Sequence, residues 1–336
     1  MIEPGRRSRT RGSLLAGAVG DALGAPVEFD GLDGIRAAHG PAGVTGLLPS
    51  GYGPPGLVTD DTQMVLFTVE ALLTGGDGDR AEALHAAYLR WLRTQESTSP
   101  PRGATGLAAQ GWLYSARAPG NACLSGLRAG RRGTPGAPAN PDSKGCGTVM
   151  RSAPFGLDPR LRTPADVAGA ALAGSVLTHG HPTAGVAAAG MAVLVHHLLD
   201  GVELPGAVRR TVAHLRGLPG HEETTAALDA AVAAADDGPP SAERLVALGE
   251  GWVAEEALAM SVYCALAHPG PDGMRDALLL AVNHGGDSDS TGAITGNVLG
   301  ARHGEAAVPA GWAHAVEGRG TLLDLADRLA ALDPPR

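Results

Sequence analysis

The apolar residues of this chain recur mostly at helical spacing, and this periodicity constrains its fold more than any other feature. In residues 59–76 the apolar positions follow the i, i+1, i+4, i+7, i+8 pattern of one buried helical stripe: Val65, Leu66, Val69, Leu72 and Leu73. Similar helical runs occupy residues 80–95, 164–180, 182–201, 222–238, 255–270, 272–286 and 320–332. The alternation that indicates a half-buried β-strand is almost absent. The sequence therefore predicts an all-α fold.

These helices are predicted to share one core. The chain has 336 residues, of which 44% are hydrophobic, enough to bury a sizeable interior, and no repeat or linker divides it. We assign residues 13–333 to a single compact multi-helix domain and residues 1–12, with their four arginines, to a disordered tail. Long connections are usually functional or contain short helices. Three long connections interrupt the helical pattern: residues 30–58, 96–148 and 202–220.

Charge and cysteine content exclude several classes of partner. The formal net charge of −9 has the wrong sign for non-specific binding to nucleic acid. No stretch approaches the roughly 18 uninterrupted apolar residues of a membrane span, and Asp21 and Glu28 suit a folded helix better than a signal peptide. The three cysteines are widely spaced and form no CxxC pair. Their number and spacing favour neither a disulfide framework nor a zinc site. A cytoplasmic location is expected.

Two familiar ligand-binding motifs are matched only superficially. Residues 51–56, GYGPPG, fit GxGxxG, but Pro54 and Pro55 lack the backbone N–H groups that a phosphate needs. The segment DSDSTG from Asp287 resembles the start of a calcium EF-hand loop, but Val298 occupies the position where that loop requires a bidentate Glu. P-loop, HExxH and GxSxG motifs are absent. The sequence therefore lacks the motifs that usually indicate hydride transfer or serine hydrolysis.

Two acidic segments, TDDT at residues 59–62 and DSDS at residues 287–290, each begin a predicted helix. Either one alone can be explained as a helix cap, with Asp60 at the N-cap and Gln63 three residues later. Their repetition, each richer in acid than a cap requires, favours a shared metal site. Oxygen ligands without cysteine suit Mg²⁺, Mn²⁺ or Ca²⁺. If the helix starts face each other, the carboxylates can hold two divalent ions about 3.5–4 Å apart.

Three further segments carry residues suited to binding. Asp21 and Glu28 flank a glycine-rich helix end, although Glu28 is equally explained as a solvated carboxylate. Gly145 and Gly147 would let backbone amides approach an anionic ligand closely, or they form simple turns. The His-x-His pair of residues 179–181 follows a predicted helix, and we favour ligand hydrogen bonding or structural capping for it over metal binding.

Six segments in this order resemble the ADP-ribosylglycohydrolase family over about residues 13–304: GAVGDALGAPVEF, TDDTQM, SKGCGTVMRSAP, THGHP, GWVAEEALAMSVYCAL and NHGGDSDSTGAITGNVLGARHG. The resemblance implies an all-α fold and a cleft with two divalent cations, Mg²⁺ or Mn²⁺. It also implies hydrolysis of the glycosidic bond between ADP-ribose and a modified protein side chain or other acceptor, with ADP-ribose as product.

The resemblance also implies roles for individual residues. The metal ligands would be Glu28, Thr59, Asp60, Asp61, Asp287, Asp289 and Ser290, with Asp289 bridging both ions. The catalytic acid or base candidates would be Glu28, Asp60 and Asp61. The substrate-binding residues would be Ser143, Lys144, Gly145, Cys146, Gly147 and His179. Two positions depart from the family pattern, since many members have Asn in place of Cys146 and Thr in place of Ser290.

The implied mechanism is hydrolysis through a transition state with oxocarbenium character, in which a carboxylate activates water and a proton reaches the leaving group. Two other functions use the same features. A metal-dependent phosphohydrolase would also use clustered aspartates, but it would release phosphate or a nucleoside monophosphate. A non-catalytic protein of the same fold would bind ADP-ribose without turnover.

Overall fold

The computed structural model describes residues 3–75 and 79–332 and confirms the all-α class. Within these ranges the chain forms sixteen α-helices and no β-strand, with three isolated β-bridges. The helices are α1 (Arg6–Gly24), α2 (Leu32–His39), α3 (Asp60–Thr74), α4 (Arg80–Glu96), α5 (Asn121–Arg128), α6 (Ala153–Leu157), α7 (Pro164–Ser175), α8 (Pro182–Leu199), α9 (Leu204–Leu215), α10 (Glu222–Asp236), α11 (Ala242–Val246), α12 (Ala254–Ala267), α13 (Met274–Val282), α14 (Ser288–His303), α15 (Ala310–Ala315) and α16 (Arg319–Ala330). Short 3₁₀ helices form at Gly106–Ala109, Gly111–Leu113, Cys146–Thr148, Pro271–Gly273 and Glu305–Ala307.

The long predicted connections contain helices. Residues 30–58 contain α2, and residues 96–148 contain α5 and three of the 3₁₀ helices. Residues 202–220 are mostly α9, whose buried face is a short apolar stripe at helical spacing: Leu204, Ala207, Val208, Thr211, Val212 and Leu215. Only parts of these connections are therefore irregular.

The predicted disordered tail is wrong for residues 6–12, because α1 begins at Arg6. Arg7 and Arg11 both donate to the carboxylate of Asp327 at 2.6–2.7 Å. Arg9 is only 3% exposed and donates to the carbonyl oxygens of Pro4 and Leu198. The basic run is therefore held by acceptors on distant parts of the chain. Met1, Ile2 and the predicted domain end at residue 333 lie outside the described residues.

Helices α1 and α14 pack against each other in antiparallel orientation along a seam of small residues. A Cβ on Gly292 would overlap the backbone of Gly20, and a Cβ on Gly296 would overlap the backbone of Ala16. Gly24 lies in the same close contact with Ser288. The spacing of four residues on each helix keeps these small side chains on one face. The seam places the end of α1 beside the beginning of α14, where the second acidic segment lies.

Helix α8 forms the centre of the core. It packs against α6, α7, α9, α12 and α14. With 18 residues and a mean hydropathy of 1.4, α8 is long and apolar enough to span a membrane, but 94% of it is buried inside the fold. Its hydrophobicity is therefore explained by its position in the core.

Candidate active site

The structure brings the two acidic segments together. Carboxylate oxygens of Glu28, Asp287 and Asp289 lie within 4.8 Å of one another. Asp60 and Asp61 line the same cavity as these three residues. Three elements therefore supply the cluster: the turn after α1, the start of α3 and the start of α14. Glu28 is only 6% exposed, so it is a buried member of the cluster and not a solvated surface carboxylate.

Helix capping does not account for these acids. The N-cap of α3 is Thr59 and not Asp60, and the Thr59 hydroxyl accepts a hydrogen bond from the Asp61 amide at 3.3 Å. Asp287 occupies the N-cap position of α14 but makes no side-chain capping bond. Gln63 bonds to the indole of Trp91 instead of completing a capping box. The carboxylates are thus left available for other partners.

Asp21, near the end of α1, holds the first acidic segment in place. Its carboxylate accepts hydrogen bonds from the Thr59 amide at 3.0 and 3.1 Å, from the Thr62 amide at 3.1 Å and from the Thr62 hydroxyl at 2.5 Å. Because these donors belong to the N-cap residue and the first turn of α3, Asp21 fixes the start of α3 against α1. The sequence does not indicate this role for Asp21 directly, although a carboxylate inside an apolar, glycine-rich helix needs buried donors.

The loop before α5 completes the support of Asp60. The Gly120 amide donates to Asp60 Oδ2 at 3.2 Å, and Ala118 has a φ of +49°, an unusual conformation for a residue with a side chain. Arg117 anchors the loop by donating to the Val58 carbonyl at 2.6 Å and to the carboxylate of Glu317. No sequence motif marks this loop, which lies inside the long connection of residues 96–148.

Burial and mutual repulsion make the cluster costly to ionise. They raise the pKa of Glu28 to about 10, with burial as the larger cause and the charges of Asp289, Asp287 and Asp60 next. They raise the pKa of Asp21 to about 7 and hold the pKa of Asp61 well above its usual range. No ion pair with Lys, Arg or His relieves these acids in the described part of the chain. Protons or cations must therefore stabilise the cluster.

Divalent cations fit these residues. The donors are carboxylate and hydroxyl oxygens, the ligands that Mg²⁺ and Mn²⁺ prefer. Two buried oxygens, Glu28 Oε2 and Asp61 Oδ1, have no hydrogen-bond partner in the structure. An unpartnered buried carboxylate oxygen is unfavourable unless a ligand satisfies it. A cation would satisfy both oxygens and reduce the repulsion among the acids.

The cavity above the acids has a volume of about 440 Å³, within the usual range for small-ligand sites. Its mouth carries a stacked aromatic pair, Phe29 and Trp252, with ring centroids 5.8 Å apart and exposed fractions of 73% and 38%. The remaining wall consists of Ala118, Pro119, Gly120, Asn121, Ala122, Cys123, Gly145, Cys146, Gly147, Met150, His179 and Ser290. Polar groups therefore lie at the bottom of the cavity and aromatic rings at its entrance.

The predicted substrate loop reaches the cavity only in part. Gly145, Cys146 and Gly147 line it, whereas Ser143 and Lys144 do not. The Lys144 ammonium group pairs with Glu255 and, at 2.9 Å, with Glu223, while the Lys144 carbonyl accepts from the Ala254 amide. These contacts fix the loop against the start of α12. The structure thus places the Lys144 side chain in an ion-pair network outside the cavity wall.

The two histidines of the His-x-His pair have separate positions. His181 is the N-cap of α8, and its Nδ1 accepts from the Thr183 amide at 3.3 Å. His179 lines the cavity, with Nε2 facing Gly145, where an added Cβ would come within 3.3 Å. Gly145 therefore leaves room for the imidazole. Of the two uses that the sequence suggested, His181 serves capping and His179 lies where a ligand would bind.

A buried hydrogen-bond relay, Arg151–Thr178–His179, favours one tautomer of His179. Arg151 can only donate, and it donates to the Thr178 hydroxyl oxygen at 2.7 Å. The Thr178 hydroxyl lies 2.8 Å from His179 Nδ1, and with one lone pair already used by Arg151 it is well placed to donate its proton to that nitrogen. Burial lowers the pKa of His179 to about 3, which keeps the ring neutral. These contacts favour the tautomer with its single ring proton on Nε2, which makes His179 a hydrogen-bond donor on the cavity side.

Replacing Thr178 with valine should remove this control while keeping the side-chain shape. We expect ¹⁵N NMR of the imidazole to show only the Nε2–H tautomer in the wild type and a mixture in the variant. Arg151 would also lose one acceptor, so the free energy of unfolding should fall by about 1–3 kcal/mol. Thr178→Ser keeps the hydroxyl and should restore both properties. A wild-type spectrum dominated by the Nδ1–H tautomer would contradict the relay.

Comparison with known proteins places this chain in one family. The family model for ADP-ribosylglycohydrolase matches residues 3–336. The chain is 29% identical to the ADP-ribosyl-[dinitrogen reductase] glycohydrolase of Rhodospirillum rubrum, covering 93% of this chain and 91% of that protein. It is 25% identical to the ADP-ribosylarginine hydrolase Tri1 of Serratia proteamaculans, covering 97% and 80% respectively.

Structural comparison agrees with the sequence matches. A solved structure described as an ADP-ribosylglycohydrolase-related protein complex superimposes with a TM-score of 0.72 at 27% identity, covering 97% of this chain and 98% of the other. The family match spans all six segments on which the resemblance was based. The chain is therefore an enzyme of the hydrolase class and a member of the ADP-ribosylglycohydrolase family.

Proposed function

We propose that this enzyme cleaves the glycosidic bond between ADP-ribose and a modified protein side chain or other acceptor and releases ADP-ribose. We further propose that it uses two divalent cations, Mg²⁺ or Mn²⁺. The observation that carries the proposal is the convergence of Glu28, Asp287 and Asp289 with Asp60 and Asp61 at one buried cavity. The names of the two bacterial relatives, which describe ADP-ribosyl hydrolysis, support the reaction class.

The proposed cation ligands come from both acidic segments and from the turn after α1. They are Glu28, Thr59, Asp60, Asp61, Asp287, Asp289 and Ser290. When bound, divalent cations supply positive charge that holds and polarises neighbouring ribose hydroxyls. Asp21 keeps Thr59 in position through the amide of that residue. Ser290 keeps a hydroxyl at the position where many family members have threonine.

Hydrolysis requires a general base near the anomeric carbon. Water forms a bond to that carbon, the bond to the acceptor breaks, and the acceptor atom takes up a proton. Glu28 and Asp61 each have a carboxylate oxygen without a protein partner, whereas Asp60 already accepts from the Gly120 amide. All three carboxylates stay candidates for the general base, and the Gly120 amide orients that of Asp60.

The rest of the cavity wall would orient the ADP-ribose. His179 offers a neutral N–H donor, which can bind a phosphate or hydroxyl oxygen. The Cys146 amide already donates to the Trp252 carbonyl at 3.1 Å, so it is not free to bind phosphate. The glycines of this loop would instead allow close approach of the ligand. Phe29 and Trp252 would contact the part of the substrate at the entrance.

Substrate turnover with and without cations tests the proposal. Peptides carrying ADP-ribose on arginine or serine, and ADP-ribosylated nucleic acid, are incubated with Mg²⁺, with Mn²⁺ and with a chelator. We expect intact ADP-ribose from at least one substrate, a rate at least about a hundredfold lower in chelator, and recovery when the cation is restored. Release of phosphate or a nucleoside monophosphate would identify a phosphohydrolase instead. Binding of ADP-ribose without turnover of any substrate would identify a non-catalytic protein.

A further inference from the structure

Arg151 is a buried cation that pairs with no carboxylate in the part of the chain that the structure describes. Its side chain is only 1% exposed. A buried charge normally has a partner of opposite sign, because its removal from water is costly. Each of the other buried arginines does pair with a glutamate: Arg9, Arg117 and Arg302. Arg151 is therefore the exception among them.

The hydrogen-bond acceptors around Arg151 are all neutral. Its Nη2 donates to the Thr178 hydroxyl at 2.7 Å and to a backbone carbonyl of α7 at 3.2 Å. Its Nη1 donates to two sulfur atoms, Cys123 Sγ at 3.3 Å and Met64 Sδ at 3.6 Å. The guanidinium carbon lies 4.6 Å from the centre of the Tyr88 ring. These contacts fix the position of the guanidinium but leave its charge unneutralised, since thiol and thioether sulfur are weak acceptors.

The charge of Arg151 lies directly behind the cavity wall. Cys123 lines the cavity, and its sulfur is an atom that contacts the guanidinium. His179 also lines the cavity and is joined to Arg151 through the Thr178 hydroxyl. Burial, and after it the charge of Arg151, lowers the pKa of His179 to about 3. The field of Arg151 therefore reaches a group that would contact a ligand.

The cavity wall carries neither lysine nor arginine among the residues that the structure describes. Lys144, the nearest basic residue in the predicted substrate loop, pairs with Glu223 and Glu255 instead. The diphosphate of ADP-ribose is negatively charged, and this wall offers it only neutral donors such as His179. A buried cation without an anionic partner thus lies behind a cavity whose proposed ligand is an anion.

We propose that Arg151 supplies the positive charge that selects the diphosphate of ADP-ribose, acting through the wall formed by Cys123 and His179. The inference rests on the proposed function and concerns how the substrate of that reaction is bound. Opposite charges attract without direct contact, and the attraction is stronger in a partly buried cavity than in water. Arg151 is a positioning residue, because Cys123 and Thr178 lie between its guanidinium and the cavity.

Replacing Arg151 with methionine removes the charge and keeps an unbranched side chain. In calorimetric titrations of the full chain with saturating Mg²⁺, we expect ADP-ribose affinity to fall at least about tenfold. Mn²⁺ affinity should be unchanged or higher, since the variant loses a charge that repels cations. Arg151→Lys keeps the charge and should retain most of the ADP-ribose affinity. Arg216→Met makes the same change at an exposed arginine after α9 and should leave both affinities unchanged.

A second pair of variants keeps Arg151 in place, in case its removal prevents folding. Met64 is buried in α3 beside the guanidinium and does not line the cavity. Met64→Glu would give Arg151 the carboxylate partner that it lacks, and we expect ADP-ribose affinity to fall about tenfold. Met64→Gln has the same shape without the charge and should retain the affinity.

Unchanged ADP-ribose affinity in Arg151→Met, or in a folded Met64→Glu, would overturn this proposal while the proposed function stands. Parallel loss of ADP-ribose and Mn²⁺ affinity in Arg151→Met, or equal losses in Met64→Glu and Met64→Gln, would assign these residues a purely structural role and would also overturn it. If the wild type bound no ADP-ribose, the proposed function would fail and this inference with it, so the two failures are distinguishable.

Discussion

Replacing Asp289 with asparagine should lower the rate of ADP-ribose release by at least about a thousandfold. Charge stabilisation by bound metal is worth several kcal/mol, and about 1.4 kcal/mol corresponds to a factor of ten in rate. Asp289 contributes to the raised pKa of Asp21, Glu28, Asp60 and Asp61, which places its charge within reach of both acidic segments. Its loss should therefore reduce activity and bound Mn²⁺ together.

The same variant should be more stable than the wild type when cations are removed. Asp289 is buried among like charges, so a neutral amide relieves repulsion that the folded state otherwise carries. Thermal unfolding in chelator should give a higher midpoint for Asp289→Asn. Gain of stability with loss of function is the pattern expected of a functional cluster.

Asp276→Asn is a suitable control, because Asp276 is exposed in the first turn of α13. It should leave turnover and Mn²⁺ binding unchanged. Full activity of Asp289→Asn, or a lower unfolding midpoint in chelator, would contradict the role of Asp289 at the centre of the cluster.

Replacing Gly296 with alanine should have the largest effect on folding. The added methyl group would overlap the Ala16 carbonyl, and the atoms it meets are backbone atoms of α1 that cannot rotate away. Overpacking that forces the backbone to move typically costs about 1–3 kcal/mol and occasionally more, and we expect Gly296→Ala at the upper end of that range. Because the seam also positions Asp21 and Asp289, separation of α1 from α14 should weaken cation binding too. Denaturant unfolding monitored by circular dichroism measures the loss.

Gly169→Ala gives the matched control, since it makes the same chemical change in another helix. Gly169 is exposed in α7, and an added Cβ there would meet nothing within 4 Å. Alanine is favoured over glycine inside a helix, so this variant should gain about 0.5–1 kcal/mol. Equal effects at both positions would show that the seam between α1 and α14 is not tightly packed.

Much of the fold could be predicted because helical periodicity is a local signal. The boundaries of α3, α4 and α8 follow the apolar stripes and their flanking Gly, Pro and polar residues. The N-terminal arginines could not be placed in this way. Their partners, such as Asp327, lie about 320 residues away along the chain. The local pattern alone therefore predicts a disordered tail for the arginines.

The candidate site was predictable to a similar extent. Two acid-rich helix starts are visible in the sequence. Whether they meet in space depends on how α1, α3 and α14 pack, which local pattern does not show. The cap at Thr59, the support from Asp21 and the ion pairs of Lys144 depend on contacts between distant elements. The wall formed by residues 118–122 has no motif, because its role comes from its position and from Arg117.

The most direct test of the central claim is anomalous X-ray diffraction from crystals of the full chain saturated with Mn²⁺. The proposed function predicts two anomalous peaks in the cavity, among the side chains of Glu28, Asp60, Asp61, Asp287 and Asp289. Both peaks should disappear when crystals are soaked in chelator. Crystals in saturating Mn²⁺ that show no anomalous peak at these carboxylates would contradict the proposal that this enzyme acts through divalent cations.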